Sequence, residues 1–462
     1  MTEGLSKALI SMGHEVKVIL PFYHHLDRGR LEALKKVETF FDDEKRISIW
    51  SARLSTIPLL LVEIESKERY FNRGSIYGEV DDVERFATFT KVSLAYLLKK
   101  RVPLDVLHLH DWLTALGAPF YTEIYKPLGL QIEKVITSIH NMKYQGVTSC
   151  SLLERLGLKN LSKEFYTWLE DPNESSKINS LKGGLLTSDE VITVSPTYAK
   201  EIMGKEGYGL SPYLEGKLHG ILNGIDPEEW NPERDPFLPY AYAPCPNRIE
   251  EALRAKQLNQ ARLKKMLGMR GEGSPLVISV TRLAEQKGPQ LLRFGLEYTL
   301  QKGGAFILLC STPESDLKET FTSLADAYKG HPNVYFHFSF DEQLAHLAFA
   351  AADSILIPSL FEPCGLTQMI ALRYGALPIV HKVGGLGDTI HDVDSREASP
   401  NLRNGFTFDQ PTEDALKKAM DRAFDLFARW PERWNALIKN GFSHDWSWKE
   451  SSKRYLDLYK KE

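Results

Sequence analysis

Short apolar runs alternate with segments of helical periodicity along almost the whole chain. This alternation is typical of α/β architecture with parallel sheets. Twelve apolar runs are predicted to be strands: Val16–Leu20, Pro58–Ile64, Asp105–His110, Lys134–His140, Glu190–Ser195, Leu218–Gly224, Pro275–Val280, Ala305–Ser311, Val334–Phe340, Ser354–Ser359, Leu377–Val383 and Gly405–Phe408.

Two helices are predicted from spacing and from the glycine that follows each of them. Near the start of the chain, Leu5, Ala8, Leu9 and Met12 form a helical stripe that Gly13 ends, and a strand begins at Val16. In the second half, apolar residues at helical spacing from about Leu366 to Tyr374 stop at Gly375. Glycine is the usual residue just past a helix end.

A proline-rich stretch without periodicity, from Asp226 to Asn247, separates the two sets of strands. We therefore predict two doubly wound, Rossmann-like domains, residues 1–236 and 273–462, joined by a linker and connecting helix at 237–272. Such domains would face each other across a cleft at the carboxyl ends of their strands, where ligands bind. The stretch from about Ser443 onwards is predicted to form an aromatic-rich terminal helix, and one arrangement is that this helix returns to the first domain.

Length and composition support a two-domain soluble protein. The chain has 462 residues, of which 43% are hydrophobic, and 57 basic and 61 acidic residues leave a net charge of −4. This balance gives no bulk attraction to nucleic acid or membranes. The sequence has no apolar run near the ~20 residues that a membrane span needs. The four cysteines lack metal-binding spacing, which is typical of reduced thiols, so we expect a cytoplasmic location.

The second half carries two loops suited to phosphate groups. In "VISVTRLAEQKGPQLL", a strand leads to Arg282, and Lys287 precedes a helix. Two fixed cations there can clamp a pyrophosphate, although they can also be ordinary solvated loop residues. In "HKVGGLGDTI", the glycines from Gly384 to Gly387 let backbone N–H groups approach an anion. The alternative is a tight turn without a ligand.

Glu362 lies in "LFEPCGL", after a buried strand and just before a helix. A helix N-terminus favours bound anions, so a carboxylate there needs either a capping role or a ligand.

Polar residues also follow the strands of the first half. "HLHDW" carries His108, His110 and Asp111, and "IHNMKYQG" carries His140. The two alternating histidines can ligate a metal, but no third ligand stands at a recognisable spacing. A lone histidine is also common in a protein core. Six polar residues at predicted strand exits indicate one shared site: Asp111, His140, Ser195, Asn223, Arg282 and Glu362. Cations and glycine amides suit a diphosphate, and carboxylates, amides and a histidine suit a sugar, which predicts a nucleotide-sugar glycosyltransferase.

Several motifs resemble those of the bacterial glycogen synthase and plant starch synthase family: "HLHDW", "IHNMKYQG", "LLTSDEVITVSPTYAKEI", "GILNGIDPEEWNP", "VTRLAEQKG", "FEPCGLTQM" and "VGGLGDT". The resemblance covers essentially the whole chain, in the family's order. It implies a GT-B fold, no cofactor or metal, and retaining transfer of glucose from ADP-glucose to an α-1,4-glucan. Two alternatives stay open: a retaining transferase for another nucleotide sugar, and a catalytically impaired glucan-binding homologue.

The resemblance also implies roles for individual residues. Arg282 and Lys287 would contact the donor phosphates, and Glu362, Asp111 and His140 would approach the glucose. The remaining residues expected to bind substrate are Cys364, Gly365, Leu366, Thr367, Gly384, Gly385, Asn223, Phe340, Tyr144 and Gln145, with Phe340 near the base.

The chain departs from the family pattern at its beginning. The family starts with a strand and a Lys-x-Gly-Gly-Leu loop that reaches the donor phosphates, whereas this sequence starts with the family's first helix. The first strand of a Rossmann-type sheet is central, so we expect a gap in the sheet of the first domain. We also expect the true start to lie upstream of Met1; a chain that is complete as given would have weak or no synthase activity and poor stability.

Overall fold

Sixteen strands and seventeen α-helices form two units in the computed structural model, which describes residues 1–158, 160–311 and 315–460. Unit 1 comprises Met1–Ile221 with Ser451–Glu462, and unit 2 comprises Leu222–Glu450. The strands are β1 Val18–Pro21, β2 Glu32–Asp42, β3 Lys45–Leu54, β4 Ile57–Glu65, β5 Leu104–His110, β6 Ile132–Ile139, β7 Val147–Ser149, β8 Lys177–Asn179, β9 Glu190–Thr193, β10 Leu218–Gly220, β11 Leu276–Arg282, β12 Ala305–Ser311, β13 Val334–His337, β14 Ser354–Ile357, β15 Leu377–His381 and β16 Phe406–Phe408.

The helices follow the strands in α/β fashion through most of the chain. They are α1 Thr2–Ser11, α2 Asp82–Lys100, α3 Asp111–Ala115, α4 Gly117–Phe120, α5 Leu152–Arg155, α6 Lys163–Leu169, α7 Ser180–Thr187, α8 Pro196–Ile202, α9 Ile249–Met266, α10 Pro289–Gln301, α11 Ser315–Ala327, α12 Glu342–Ala351, α13 Thr367–Arg373, α14 Gly384–Thr389, α15 Glu413–Arg429, α16 Pro431–Ser443 and α17 Trp448–Tyr459. In the part of the chain that the structure describes, no helix is long and apolar enough to cross a membrane.

The sheet of unit 2 is parallel, six-stranded and doubly wound. Its strand order is β13-β12-β11-β14-β15-β16. Every residue of β14 and β15 is buried, as expected for strands covered on both faces by helices. The order reverses between β11 and β14, and the carboxyl ends of the strands beside such a switch point are where these sheets bind ligands.

In its described residues, unit 1 contains two four-stranded sheets and a two-stranded sheet of β7 and β8 instead of one continuous sheet. One four-stranded sheet has the order β1-β4-β3-β2 and the other β10-β9-β6-β5. Within the described residues, β1 pairs only with β4 and β5 pairs only with β6. Ile19 of β1 nevertheless packs against the buried clusters on both sides. The discontinuity predicted for this sheet is therefore present.

The predicted α/β architecture with parallel sheets is confirmed, and the first sheet of unit 1 adds antiparallel strands to its parallel β1–β4 pair. Strands β2, β3 and β4 pair antiparallel. Tight turns connect them, with Asp43 and Ser55 in the left-handed region at φ +50° and +53°. The charged residues of β2 interrupt any apolar run, so this hairpin lacks the sequence pattern of a buried parallel strand.

Six predicted strands extend too far, and in three of them this changes the placement of a candidate residue. Strand β9 ends at Thr193, and Ser195 caps helix α8 by accepting the Tyr198 N–H at 3.1 Å. Strand β10 ends at Gly220 because the chain turns away, and Ile225 then pairs with Ser447. Asn223 therefore belongs to unit 2 and does not follow a strand directly. Strand β13 ends at His337, so Phe340 lies in the loop beyond it.

The predicted helices at Leu5–Met12 and Leu366–Tyr374 are confirmed as α1 and α13, with Gly13 and Gly375 in the left-handed conformation just past them. The terminal helix α17 ends in unit 1, where the Tyr459 hydroxyl lies 2.7 Å from Nδ1 of His108. The crossing back of this helix is thus also confirmed.

A buried lysine joins three helices of unit 2. The Lys256 ammonium on α9 donates to the carbonyls of Ala350, Ala352 and Tyr374 at 2.9–3.2 Å. These carbonyls lie at the C-terminal ends of α12 and α13, where helices leave acceptors unpaired and favour a cation. Burial lowers the pKa of Lys256 to about 8.

Candidate functional site

Three loops of unit 2 meet at the carboxyl edge of the sheet, beside the switch point. They follow β11, β14 and β15. Glycines allow their close approach: a Cβ on Gly288 would lie 2.2 Å from the Pro358 carbonyl oxygen, and one on Gly385 would lie 1.9 Å from the Cys364 oxygen. The Gly385 N–H donates to the Glu362 carbonyl at 3.0 Å. The glycine turn therefore holds the "FEPCG" loop through backbone contacts.

Glu362 forms a buried ion pair with Lys287. The Lys287 Nζ lies 2.5 Å from Oε2 of Glu362, and the Ser359 hydroxyl donates to the same oxygen at 2.9 Å. The side chains of Lys287 and Glu362 are only 17% and 11% exposed. No side chain caps helix α13, so Glu362 is not a helix cap. The carboxylate is instead fixed by a cation and a hydroxyl, with its second oxygen left for another partner.

Sequence reasoning missed three residues that hold this pair in place. Ser359 was assigned to a strand, although its hydroxyl binds Glu362. His381 places Nδ1 2.8 Å from the Ser359 carbonyl oxygen, and Gln286 donates from Nε2 to the Phe361 carbonyl at 3.1 Å. The short spacing between Ser359 and Glu362 could have suggested the first of these contacts. The other two join loops distant in sequence.

Cys364 is buried inside the same loop cluster. Burial raises the pKa of its thiol to about 12, so the sulfur is protonated at neutral pH. The Asn223 backbone lies within hydrogen-bonding reach of this sulfur. The buried Oδ1 of Asn223 accepts no hydrogen bond among the described residues. An unpaired buried amide oxygen costs free energy unless a ligand or water satisfies it.

A small cavity of about 20 Å³ lies between the loops, enough for about one water. Its lining includes Lys287, Glu362, Gly365 and Thr367. Gly365 has φ +70°, and the amide nitrogen of Gln368 donates to its carbonyl oxygen. The structure therefore brings together most of the phosphate and sugar residues predicted from the second half of the sequence.

Three predicted residues of unit 2 project outward from this cluster. Arg282 at the end of β11 is exposed, and within the described residues its side chain has no hydrogen-bond or ion-pair partner. Leu366 is 41% exposed and Phe340 is 84% exposed. The exposed guanidinium, unpaired within the described residues, and the exposed aromatic ring are each available to an external ligand.

In unit 1, Asp111 and His140 lie at the ends of neighbouring strands. Asp111 adopts the left-handed conformation at φ +53°. Its Oδ1 accepts the His140 N–H at 2.7 Å and the Asn141 N–H at 3.4 Å. Burial raises the pKa of Asp111, partly offset by these contacts. Strain of this kind in a residue other than glycine is often associated with a functional site.

Three imidazoles cluster beside Asp111. His110 Nδ1 lies 3.2 Å from His140 Nε2, and the rings of His108 and His110 stack at 4.4 Å. Burial lowers the pKa of all three, that of His108 to about 3. They are therefore neutral at pH 7. His108 contacts Ser138 and Tyr459, and among the described residues no group of three or more potential ligands could hold a metal ion.

The other two predicted residues of unit 1 differ in their surroundings. Tyr144 is 59% exposed. Gln145 is engaged in structural contacts, since its amide oxygen accepts from Asn179 at 2.7 Å and its nitrogen donates to the Tyr208 carbonyl at 3.2 Å. Gln145 therefore shapes the loop after β6 through these bonds.

A doubly wound sheet with a cation and a glycine turn at its switch point, and a second unit with polar strand exits, define a glycosyltransferase of the GT-B class. The family described as "Starch synthase catalytic domain" matches residues 1–216, and the family described as "Glycosyl transferases group 1" matches residues 268–443. The chain belongs to the family of bacterial glycogen synthases and plant starch synthases, which are hexosyltransferases.

Individual relatives support this assignment. A glycogen synthase of Protochlamydia amoebophila is 39% identical over 469 residues, covering 99% of this chain and 94% of that protein. The catalytic domain of starch synthase IV from Arabidopsis thaliana, solved bound to ADP and acarbose, superposes with a TM-score of 0.91 at 37% identity, covering 99% of this chain and 94% of that one. A sucrose-phosphate synthase from Thermosynechococcus elongatus, at 18% identity and a TM-score of 0.61, covers 99% of this chain and 91% of its own and shares the fold.

Proposed function

We propose that the chain transfers glucose from ADP-glucose to the non-reducing end of an α-1,4-glucan, with retention of configuration, in the cytoplasm. The observation that carries this proposal is the buried Lys287–Glu362 pair beside the Gly384–Gly385 turn. A cation suits a diphosphate, and a fixed carboxylate suits sugar hydroxyls. The ADP bound to the Arabidopsis domain supports an adenine nucleotide as donor.

In this proposal residues 273–462 form the donor domain, 237–272 the linker with its connecting helix, and 1–236 the catalytic and acceptor domain. Lys287 and Arg282 neutralise the charge that develops on the departing diphosphate, which replaces a metal ion in that role. Lys287 is already positioned by Glu362, whereas the Arg282 side chain has no competing partner in the part of the chain that the structure describes. The exposed ring of Phe340 offers a stacking surface for the base.

The sugar is held by acceptors and neutral imidazoles. Glu362 accepts hydrogen bonds from the donor glucose through the oxygen that Lys287 and Ser359 leave open. His140 is neutral because of its burial, so it offers one donor or acceptor without a charge to desolvate. Asp111 accepts from the His140 and Asn141 backbones and fixes the position of that imidazole.

Retention proceeds on one face of the sugar in this proposal. The bond between the glucose carbon and the diphosphate oxygen breaks, and the acceptor hydroxyl attacks from the same side. Its proton passes to the departing phosphate oxygen. Cys364 takes no part as a nucleophile, since its pKa of about 12 keeps the thiol protonated.

Incorporation of labelled glucose into glycogen tests the proposal. ADP-glucose, UDP-glucose and GDP-glucose are compared with the wild-type chain and with Glu362→Gln, using the exposed Glu450→Gln as matched control. We expect label from ADP-glucose, and a loss of about 10²-fold in Glu362→Gln only.

Two outcomes contradict the proposal. Label from a different sugar nucleotide alone indicates a transferase of another specificity. Binding of glycogen without transfer from any donor indicates a catalytically impaired glucan-binding homologue.

A further inference from the structure

Unit 2 contains a second cavity that the donor site does not use. Its volume is about 230 Å³, far more than one water requires and large enough for a six-membered sugar ring. It is lined by the end of α14, the loop around Asn401 and the segment that follows α16. The lining residues are Leu222, Asp388, Thr389, His391, Asn401, Leu402, Asn404, Asn440, Ser443, His444 and Trp446.

Several lining side chains have unused hydrogen-bonding capacity. Among the described residues, the side chains of His391, His444 and Asn401 have no hydrogen-bond partner. The Asn440 amide nitrogen donates to the Pro400 and Arg403 carbonyls at 2.9 and 2.7 Å, and its oxygen accepts nothing in the same described part. Neutral ligands with many hydroxyls satisfy such mixed donors and acceptors, which simple anions cannot do.

The electrostatics of the lining also favour an uncharged ligand. Burial lowers the pKa of His391 and of His444, so both imidazoles are neutral at pH 7. Each then offers one donor and one acceptor. Asp388 adds a carboxylate to the lining. Lys382 acts on His391 from nearby but is not part of the lining, so a phosphate would meet this carboxylate without a cation in the cavity wall.

Part of the wall is aromatic and apolar. Trp446 is 7% exposed and donates from Nε1 to the Gly441 carbonyl at 3.2 Å. Its ring centroid lies 4.1 Å from that of His444, and the two ring planes are tilted by 38°. Leu222 and Leu402 complete this wall. Sugars present hydroxyls at their edges and C–H groups on their faces, so they match a pocket that combines polar groups with an aromatic body.

We propose that this cavity binds one glycosyl unit of a neutral oligosaccharide. The site is separate from the Lys287–Glu362 pair and does not depend on which nucleotide sugar the protein uses.

A hydrogen-bond path connects the cavity to the donor loops. Thr389 lines the cavity, and its hydroxyl donates to the Gly385 carbonyl at 2.6 Å. The Thr389 hydroxyl oxygen also accepts from Gln368 Nε2 at 3.1 Å, and that nitrogen donates to the Cys364 carbonyl at 3.1 Å. A sugar that fixes Thr389 therefore restrains the glycine turn, and we expect a lower KM for the donor when the cavity is filled.

Calorimetric binding of maltotriose to the full chain tests the site. Asn401 is exposed, so Asn401→Trp blocks the cavity from its rim, and the exposed Asn247→Trp is the matched control. We expect the wild type and Asn247→Trp to bind with one more site than Asn401→Trp. His444→Ala, which leaves the cavity open, is expected to raise the dissociation constant of that site at least tenfold.

Three outcomes overturn the proposal: the same stoichiometry in Asn401→Trp and the wild type, equal binding of glycerol and maltotriose, or tighter binding of inorganic phosphate or glucose 6-phosphate than of maltotriose. Circular dichroism and thermal unfolding show whether each variant is folded. If Asn401→Trp is misfolded, the affinity of His444→Ala for maltotriose tests the proposal instead. Failure to transfer glucose from ADP-glucose leaves this result unaffected, so the two proposals fail separately.

Discussion

The strand ends of unit 2 retain charged side chains, whereas the histidines at those of unit 1 are neutral. In unit 2, a full ion pair between Lys287 and Glu362 is retained in a largely buried place, held by Ser359 and by glycine turns. In unit 1, burial removes the charge from His108, His110 and His140. Buried charges persist only when they are paired, and unpaired titratable groups become neutral instead. The same edge of a parallel sheet thus supports either type of chemistry.

Replacement of Lys287 is expected to have the largest effect on this difference between the two units. Lys287→Met leaves the Glu362 carboxylate with the Ser359 hydroxyl as its only hydrogen-bond partner among the described residues, and it removes a charge from the proposed diphosphate site. We expect kcat to fall about 10²–10³-fold. Steady-state transfer from ADP-glucose measures it, with the exposed Lys265→Met as control. Equal activity of both variants would show that the pair is structural.

Separating the loops of unit 2 is expected to affect stability next. In Gly385→Ala, the new Cβ would lie 1.9 Å from the Cys364 oxygen, so the loops must move apart. We expect the free energy of unfolding to fall by about 1–3 kcal/mol. Urea denaturation measures this change.

Gly387→Ala in the same turn is the matched control. Its Cβ would come no closer than 3.5 Å to another atom, so a small change or a gain is expected. Similar losses in the two variants would contradict the role of close packing at Gly385.

The neutral imidazoles of unit 1 predict an acid-sensitive fold. The pKa of His108 is about 3 in the folded chain, against an ordinary value of 6.5. Between these values the unfolded chain binds a proton that the folded chain does not. Stability therefore falls as the pH drops from 6.5 towards 3, by about 1.4 kcal/mol per pH unit for each such group.

His108→Gln should reduce the slope of the free energy of unfolding against pH by the contribution of one proton. The exposed His14→Gln should leave that slope unchanged. Urea denaturation at a series of pH values measures the slope. A slope unchanged in His108→Gln would mean that this imidazole is charged in the folded protein.

The smallest expected effect belongs to Cys364. Its thiol is buried and protonated, and a free cysteine of this kind behaves as a small apolar group. We expect Cys364→Ala to keep kcat within about tenfold of the wild type, with Cys245→Ala as control. A loss comparable to that of Lys287→Met would make the sulfur part of the chemistry.

The sequence predicted the sheet of unit 2 better than those of unit 1. Strand β12 matches its apolar run residue for residue, because a strand buried on both faces has an unmistakable pattern. The hairpin of β2 and β3 was missed because its charged residues hide the alternation of a sheet with one solvated face. Asn223 was misplaced because only tertiary pairing, between Ile225 and Ser447, shows where the chain leaves its sheet.

The candidate site divides in a similar way. Residues at strand ends, such as Glu362 and His140, were predicted because topology brings the ends of parallel strands to one edge. The contacts of Gln286 and His381 could not be predicted, because they join loops that are far apart in sequence. Lys256 escaped notice for the same reason: nothing in a polar helix shows that one of its lysines faces three carbonyls.

Lys256 also gives the protein an internal reporter of its own opening. Its amine is enclosed by the ends of α12 and α13, so acylating reagents reach it only when α9 moves away. The time course of labelling at Lys256, read by mass spectrometry against the exposed Lys265 on the same helix, therefore records how often unit 2 opens locally. The measurement requires no added probe, because both lysines are native residues of the chain.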